Sequence, residues 1–270
     1  MKAQRAVHRP DARRSTDVAS ANVLYTLGRT EACKALDAVL GLAPDLIGLQ
    51  EWYPSRLGLL LDTGRVGLAP HIGGRLRRPT SHGAPVYLWN MPLIGGCAVG
   101  ARADRFELVR CRTRFLSAPG RGDPHADRRR LEPPREATVA VYRDLLLDRT
   151  VCLVNYHLVS GVQVHGRYRA DRPVLAARHR HETEVLGRLV HEQIEQGHVV
   201  YATGDSNFHG LRIDGLTSAW EGRQDWPGTL GPHRKVDDVH GQGPAEAVTL
   251  LSTPSDHVAI VVRRPCVAAS

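Results

Sequence analysis

The stretch "YATGDSNFHGL" (residues 201–211) raises the question on which the fold assignment depends. An apolar run, "VVYAT", ends at Gly204, and Asp205 and Asn207 follow it at once. Ser, Asp and Asn beside Gly ordinarily mark a turn. The stretch therefore has two interpretations: a strand that ends in a plain loop, or a strand that delivers polar side chains to an active site.

Length and composition describe a chain that can bury a large core. Of its 270 residues, 42% are hydrophobic, which is enough for one large core or at most two smaller ones. The formal net charge is +8, from 36 basic and 28 acidic side chains, and such a basic excess suits an anionic partner such as nucleic acid or phosphate. Five scattered cysteines without CxxC spacing are predicted to be reduced thiols.

No segment of the sequence has the features of a membrane span or a secretory signal. No apolar run approaches the roughly 18–20 residues that cross a bilayer, so no stable membrane insertion is expected. The basic start, "MKAQRAVHRPDARRST", lacks a following apolar region. We therefore predict a cytoplasmic monomer with a flexible basic tail over residues 1–16, a single domain over 17–265 and a loose end over 266–270.

Strand-like and helix-like segments alternate along the chain. Apolar residues with the spacing of one helix face predict a helix over 30–42, and a long amphipathic helix over about 172–196 has an apolar stripe from Val174 to Ile194. Residues 121–136 are charged, contain Pro and Gly, and lack periodicity, so we predict a loop there. Short apolar runs predict strands at 18–25, 46–50, 97–102, 137–147, 150–158, 198–205 and 258–264. One α/β domain is the simplest interpretation.

Polar side chains stand at the ends of these apolar strands. They are Asn22, Gln50, Glu51, His157, Asp205, Asn207, Asp256 and His257. Active-site residues are commonly placed at strand ends and on the loops that a rigid sheet holds. Burying a carboxylate without a partner or a metal is costly, so we expect these groups to converge.

The chemistry of this set indicates metal-assisted hydrolysis. Glu51, Asp205 and Asp256 supply hard oxygen ligands, which suit Mg²⁺ or Mn²⁺ better than zinc. His157 and His257 can donate to a phosphoryl oxygen, or act as acid or base near neutral pH. The sequence contains neither a GxxxxGK[ST] phosphate loop nor a GxSxG nucleophile motif. This inventory predicts hydrolysis of a phosphate ester with water as the nucleophile.

In their order along the chain, these motifs resemble those of the endonuclease/exonuclease/phosphatase superfamily, which has the DNase I-like fold. The matching segments are "SANVL" with Asn22, "LIGLQEW" with Glu51, "NYHL" with His157, "TGDSN" with Asp205 and Asn207, "KVDDV" with Asp237, and "SDHVAIVV" with Asp256 and His257. They run from about residue 18 to 264. The resemblance implies a four-layered α/β sandwich, in which two packed mixed β-sheets are flanked by helices.

The resemblance also implies a role for each of these residues. The implied catalytic residues are His157, Asp205, Asn207, Asp237 and His257, the implied metal ligands are Glu51, Asn22 and Asp256, and the implied phosphate contacts are Asn207 and His157. Asp205 positions or deprotonates the attacking water, and Asp237 orients His257. We assign the role of base to the group rather than to one member. Close after His157, "GRYRADR" (166–172) supplies Arg167, which we predict to contact substrate.

Two departures from the family pattern narrow the function. Leu24 stands where abasic-site nucleases of the family often carry a polar residue, and His157 stands where they use a tyrosine. Both features resemble the phosphodiesterase, sphingomyelinase and DNase I side of the superfamily. We therefore predict a divalent-metal-dependent nuclease or phosphodiesterase, with Mg²⁺ or Mn²⁺ as cofactor and nucleic acid or another phosphodiester as substrate. The alternatives are a hydrolase of a small or lipid phosphate ester on the same fold, and a non-catalytic binding module.

Two further features have competing interpretations. His179, His181 and His191 lie on the long predicted helix. An HxH pair on a helix points about 200° apart, so we interpret these histidines as a solvated helix face rather than a zinc site. Trp52, directly after Glu51, either packs in the core or stacks on a base or a ring near the metal.

Overall fold

Two β-sheets pack face to face in a computed structural model of the chain, which describes residues 15–62, 66–68, 85–123 and 131–266. The strands are β1 (Ser15–Asn22), β2 (Leu46–Gln50), β3 (Val66–Leu68), β4 (Tyr87–Asn90), β5 (Ala98–Arg102), β6 (Phe106–Ser117), β7 (Gly120–Arg121), β8 (Leu131–Glu132), β9 (Arg135–Asp144), β10 (Arg149–His157), β11 (Gln163–Val164), β12 (Arg167–Tyr168), β13 (Val199–Asp205), β14 (Asp237–Gly241), β15 (Ala247–Leu251) and β16 (Ala259–Pro265). The helices are α1 (Arg29–Gly41), α2 (Leu57–Asp62), which follows a short 3-10 turn at Pro54–Arg56, and α3 (Pro173–Glu195).

Both large sheets mix parallel and antiparallel pairs. The first has the strand order β15-β16-β1-β2-β5-β4-β3, in which β1 is parallel to β2 and β3 to β4. The second has the order β14-β13-β10-β9-β6, in which only β10 and β13 are parallel. Two short hairpins, β7–β8 and β11–β12, lie outside these sheets.

Alternation along each strand divides the core into three layers. Val18 and its neighbour Ala19 enter different hydrophobic clusters, because successive residues of a strand point to opposite faces. The inner cluster joins the two sheets, α1 covers the outer face of the first sheet, and α3 covers the outer face of the second through Leu186 and Val190. The resulting order of helix, sheet, sheet and helix confirms the predicted four-layered sandwich.

A buried polar network ties the two sheets together beneath one end of the sandwich. Asn155 of β10 donates two hydrogen bonds of 2.8 Å, to the carbonyl oxygens of Leu49 and Ala98. Its Oδ1 accepts hydrogen bonds from Gln50 Nε2 at 2.6 Å and from Thr203 Oγ1 at 3.2 Å. All four hydrogen-bonding capacities of this amide are used, which offsets the cost of burying it. The network holds β2 of the first sheet against β10 and β13 of the second.

Gly48 offers a direct test of this sheet contact. A Cβ atom at position 48 would lie 2.0 Å from Thr203 Oγ1 and 2.7 Å from Asn155 Oδ1. We expect Gly48→Ala to lower the free energy of unfolding by at least about 2 kcal/mol, because overpacking would add to disruption of the network. Gly187→Ala in α3, where nothing lies within 4 Å of a new Cβ, should raise it by about 0.5–1 kcal/mol. Urea unfolding of both variants measures the difference, and a Gly48→Ala protein as stable as wild type would contradict the expectation.

Several predicted boundaries differ from those observed. Strand β1 begins at Ser15 and Thr16 is buried, so the described part of the predicted tail over 1–16 is strand, and residues 1–14 lie outside the described residues. The predicted loop over 121–136 contains strand β8 and the start of β9. Strand β6 was not predicted because it is an edge strand in which half of the residues are exposed and only two are buried, so it lacks a clear apolar alternation.

The long helix differs from prediction at two residues. Val174 is exposed, and the buried stripe begins at Leu175. His179 is fully buried, so the prediction of a solvated face was wrong for this residue, although His181 and His191 are exposed. Both nitrogens of the His179 ring have partners, the hydroxyl of Tyr168 at 3.0 Å and the carbonyl of Ser206 at 2.8 Å, which makes burial tolerable.

The described residues include no helix that is both long and apolar enough to cross a membrane. All five cysteines are free thiols, and Cys97 and Cys152 are buried.

Candidate active site

Strand registers bring the predicted site residues to one edge of the sandwich. Asn22 pairs with Gln50 in the parallel β1–β2 ladder, so Asn22 and Glu51 leave the first sheet together. In the second sheet, His157 pairs with Asp205, and Asp205 pairs with Asp237. Because β16 runs antiparallel to β1, the residues before its start return to the same edge, and they include His257. Convergence of the strand ends is therefore a result of the topology.

Asn22 connects the carboxylates of the two sheets. Its Nδ2 donates to Asp205 Oδ2 at 3.0 Å and lies 3.4 Å from Glu51 Oε1. The other carboxylate oxygen of Glu51 accepts a hydrogen bond of 2.8 Å from the backbone N–H of Tyr25. Glu51 itself has a φ of 58°, a left-handed conformation that non-glycine residues rarely adopt, and Gly96 packs against its backbone. Such strain at a carboxylate is typical of functional sites.

Asp205 is the buried centre of the group. Its Oδ1 accepts a hydrogen bond of 2.7 Å from the backbone N–H of Asn207, and its Oδ2 lies 3.6 Å from His157 Nε2 and 3.8 Å from His257 Nε2. Burial, followed by the negative charge of Asp237, raises the pKa of Asp205 to about 7. A carboxylate with that pKa is suited to accept a proton near neutral pH.

His257 and Asp237 form a buried pair. The Nδ1–H of His257 donates to Asp237 Oδ2 at 2.8 Å. Burial opposes protonation of this imidazole, but the charge and hydrogen bond of Asp237 outweigh it and raise the pKa of His257 to about 9. At neutral pH the ring is therefore a cation, and its Nε2 lies on the side of Asp205, 3.8 Å from Oδ2.

His157 has the opposite protonation state. Burial, and then the positive charges of Arg135 and His257, hold the pKa of His157 well below its usual value. The 3.6 Å approach of its Nε2 to Asp205 is therefore not an ion pair at neutral pH. One site thus contains a neutral and a charged imidazole, an arrangement in which two histidines can serve different roles.

The remaining predicted site residues lie at the periphery. Asn207 uses its Nδ2 to donate to the Leu158 carbonyl at 3.1 Å, so its side chain braces the loop. Asp256 is exposed and accepts a hydrogen bond of 3.3 Å from Ser255 Oγ. Arg167 is exposed on β12, in the hairpin beside the Asn207 loop. Among the hydrogen bonds and ion pairs of the described residues, none joins Asp256 or Arg167 to Glu51 or Asp205.

Trp52 is fully buried in the core on the α1 side of the first sheet. Core packing is therefore the correct interpretation of this residue, and stacking near the metal was wrong.

The donor set fits a hard divalent cation at Glu51 and Asn22. Within the described residues, Asn22 Oδ1 is buried and has no hydrogen-bond partner, although it belongs to the amide that contacts the Glu51 carboxylate. Among the described residues, a different cluster of potential ligands brings atoms of Asp205, Asp237 and His257 within 4.8 Å of one another. In that cluster His257 and Asp237 form an ion pair. A protonated imidazole has no lone pair to donate to a metal, so this cluster is not a suitable metal site. We therefore favour Glu51 and Asn22 as the metal-binding residues.

Arg135, at the start of β9, is a site residue that the sequence interpretation missed. Its charge acts on His157, and its Nε is buried without a hydrogen-bond partner among the described residues. Because β9 runs antiparallel to β10, the start of β9 lies at the edge where His157 ends its strand. We looked for site residues among polar side chains at strand ends. This rule would have identified Arg135 if the predicted strand had begun at residue 135 rather than 137.

Solved structures of known proteins share this fold over nearly the whole chain. TDP2 from D. rerio, complexed with a single-strand DNA product, is 16% identical, with a TM-score of 0.60, 92% of this chain covered and 98% of that chain. An endonuclease/exonuclease/phosphatase family protein from Bacteroides thetaiotaomicron is 15% identical, with a TM-score of 0.60 and 92% and 97% covered. A mannosyl-6-phosphatase from the same species is 14% identical, with a TM-score of 0.58 and 92% and 98% covered.

The chain thus has the fold of these solved structures, one of which is an endonuclease/exonuclease/phosphatase family protein, as the resemblance of the motifs implied. By sequence alone, neither a family model nor a curated protein matches the chain.

Proposed function

We propose that this chain is a divalent-metal-dependent hydrolase of phosphate ester bonds, a nuclease or phosphodiesterase that uses water as nucleophile. The observation that carries the proposal is the convergence of Asn22, Glu51, Asp205 and the Asp237–His257 pair at one edge of two sheets. These groups combine metal ligands, a proton acceptor and a hydrogen-bond donor, which together meet the needs of phosphoester hydrolysis.

Glu51 and Asn22 would hold Mg²⁺ or Mn²⁺. A bound divalent cation supplies charge stabilisation at a phosphoryl oxygen and lowers the pKa of bound water. Asp205 accepts the proton of the attacking water or orients that water, and the backbone N–H of Asn207 fixes the direction of its carboxylate. The pKa of about 7 leaves Asp205 substantially ionised at neutral pH.

Positive groups around Asp205 complement the charge of a phosphoryl group. Protonated His257 donates from Nε2 to a phosphoryl oxygen, while Asp237 holds the ring through Nδ1. Arg135 adds a second positive charge beside neutral His157. Fixed donors of this kind stabilise charge that grows on phosphoryl oxygens in the transition state.

Two of the structural neighbours support a phosphate ester as the substrate. One is TDP2 with a DNA product, and the other is a mannosyl-6-phosphatase. Between a nucleic acid and a neutral sugar that carries a phosphate, the net charge of +8 favours the polyanion. We therefore propose nucleic acid as the substrate.

One observation favours the second candidate, a hydrolase of a lipid phosphate ester. Leu93 and Ile94 are 89% and 62% exposed in the loop that leads to Gly96, which packs against Glu51. Exposed aliphatic side chains beside a polar site suit a substrate with an apolar portion.

A substrate panel tests the proposal. Duplex DNA, single-stranded DNA, RNA, bis-p-nitrophenyl phosphate and sphingomyelin are each incubated with the protein in Mg²⁺ and in EDTA. We expect hydrolysis of nucleic acid and of the chromogenic diester in Mg²⁺, and none in EDTA. Hydrolysis of sphingomyelin alone would select the second candidate. Hydrolysis of no substrate, or equal hydrolysis in EDTA, would contradict the proposal.

A further inference from the structure

Two tyrosines form an exposed aromatic pair beside Glu51. The Tyr25 and Tyr53 side chains are 50% and 39% exposed, and their ring centroids lie 6.4 Å apart at an interplanar angle of 87°. Tyr25 is tied to Glu51 through its backbone N–H, and Tyr53 follows Glu51 by two positions. The backbone contacts that place Glu51 therefore also place the two rings.

The position of this pair is unusual for the molecule. In the described part of the chain, the exposed aromatic side chains are Tyr25, Tyr53, Phe115 and Trp226. Two of these four contact each other, and those two flank the predicted metal ligand. Aromatic rings stabilise a protein most when buried, so a pair left half in water beside a polar site keeps ring faces available to a ligand.

A cation completes the surroundings of the pair. Arg135 begins β9 at the edge where His157 ends β10. Its positive charge adds to the lowering of the His157 pKa by burial and opposes the rise that burial causes in the pKa of Tyr53. Arg135 Nε is buried and lacks a hydrogen-bond partner among the described residues. A ligand that carries a planar group joined to a phosphate would fit this arrangement. The planar group would stack on the ring faces, and the phosphate would lie near the cation and the carboxylate site.

We propose that Tyr25 and Tyr53 bind the nucleobase of a nucleotide phosphoester next to the scissile phosphate. This inference rests on the proposed function and extends it, because it specifies which part of the substrate is recognised and by which residues. Stacking of bases on aromatic side chains tolerates any base, since each base has a π-face. A nucleotide is favoured over a lipid because the exposed ring faces can stack on a planar base, whereas an acyl chain has no planar face.

The test compares two esters that share a leaving group. Thymidine 5′-(4-nitrophenyl phosphate) carries a base, and methyl 4-nitrophenyl phosphate does not. For Tyr25→Ala and Tyr53→Ala we expect KM on the thymidine ester to rise at least about fivefold, which corresponds to the weakest stacking contact of one base on one ring. The kcat on the thymidine ester, and both kcat and KM on the methyl ester, should stay as in wild type. Tyr25→Phe and Tyr53→Phe keep the ring and should resemble wild type. Leu146→Ala, which truncates a half-exposed side chain in the turn at the far end of β10, is the control.

Each outcome decides between distinct conclusions. Unchanged KM on the thymidine ester in both alanine variants would overturn the inference. Equal losses on both esters would also overturn it, because the tyrosines would then act only by placing Glu51. A loss confined to sphingomyelin vesicles would assign the rings to a lipid surface instead.

The inference can fail independently of the proposed function. If wild type hydrolyses neither ester, the proposed function fails. Calorimetric binding of thymidine 5′-monophosphate then tests whether Tyr25 and Tyr53 bind a nucleobase. Weaker binding by the alanine variants would support the inference, and equal binding would overturn it.

Discussion

Asp205→Asn is expected to lower kcat on bis-p-nitrophenyl phosphate by at least about 10³-fold, since a general base contributes about 10²–10⁴ and this carboxylate also orients the water. An amide cannot accept the proton of water at neutral pH. Its NH₂ group would in addition face a donor, because one oxygen of Asp205 accepts from Asn22 and the other from the Asn207 N–H. Steady-state kinetics in Mg²⁺ measure the loss.

The matched control is Asp148→Asn. That carboxylate is 81% exposed and pairs with Arg143, so the variant makes the same change of charge away from the site. It should keep the activity of wild type. A folded Asp205→Asn protein within about tenfold of wild-type kcat would remove Asp205 from the reaction.

His257→Ala is expected to lower kcat at least about 10²-fold, equivalent to roughly 2.7 kcal/mol of barrier. The variant removes a donor that is charged at neutral pH and whose Nε2 lies 3.8 Å from Asp205 Oδ2, where the proposed function places the phosphate. Asp237→Asn should lower kcat in the same direction but by less, because the ring remains and loses only its partner. The double variant should be no worse than His257→Ala, since Asp237 acts through that ring.

The pH profile gives the same pair a second test. A donor whose pKa is about 9 is protonated below that pH, so activity should fall as pH rises through about 9. Without the Asp237 charge the imidazolium is less stable, and in Asp237→Asn the alkaline fall should move to lower pH. Circular dichroism controls for folding. Additive losses in the double variant, or an unmoved alkaline limb in Asp237→Asn, would show that the two residues do not act as a pair.

Buried strands and the ends of those strands could be predicted from the sequence. The first four residues of "LIGLQ" (46–50) are apolar because both faces of β2 are covered, by α1 on one side and by the second sheet on the other. Glu51 and Asp205 follow such runs directly, so their placement at an edge was predictable. Their convergence was expected from the cost of burying carboxylates without partners, but the link between them through Asn22 was not predictable, because it depends on how the two sheets pack.

Features fixed by tertiary contacts could not be predicted in this way. The helical pattern predicts that His179 faces solvent. Its ring is instead buried, where the Tyr168 hydroxyl and the Ser206 carbonyl are hydrogen-bond partners of its two nitrogens. Asn155 has no feature in the sequence that sets it apart from other polar residues in strands, yet it makes three hydrogen bonds to the other sheet and one within its own. Arg135 was hidden in a charged segment whose strand begins without an apolar residue.

The most direct test of metal-dependent hydrolysis at this site is a Mg²⁺ titration of bis-p-nitrophenyl phosphate hydrolysis by wild type and Glu51→Gln. This variant removes one negative charge and keeps the shape of the side chain. We predict that EDTA abolishes wild-type hydrolysis and that the half-saturating Mg²⁺ concentration rises at least about tenfold in Glu51→Gln, because a charged oxygen ligand is lost. The stabilisation of wild type against heat by Mg²⁺ should weaken in parallel. Hydrolysis that persists in EDTA, or the same Mg²⁺ dependence in both proteins, would contradict a metal site at Glu51.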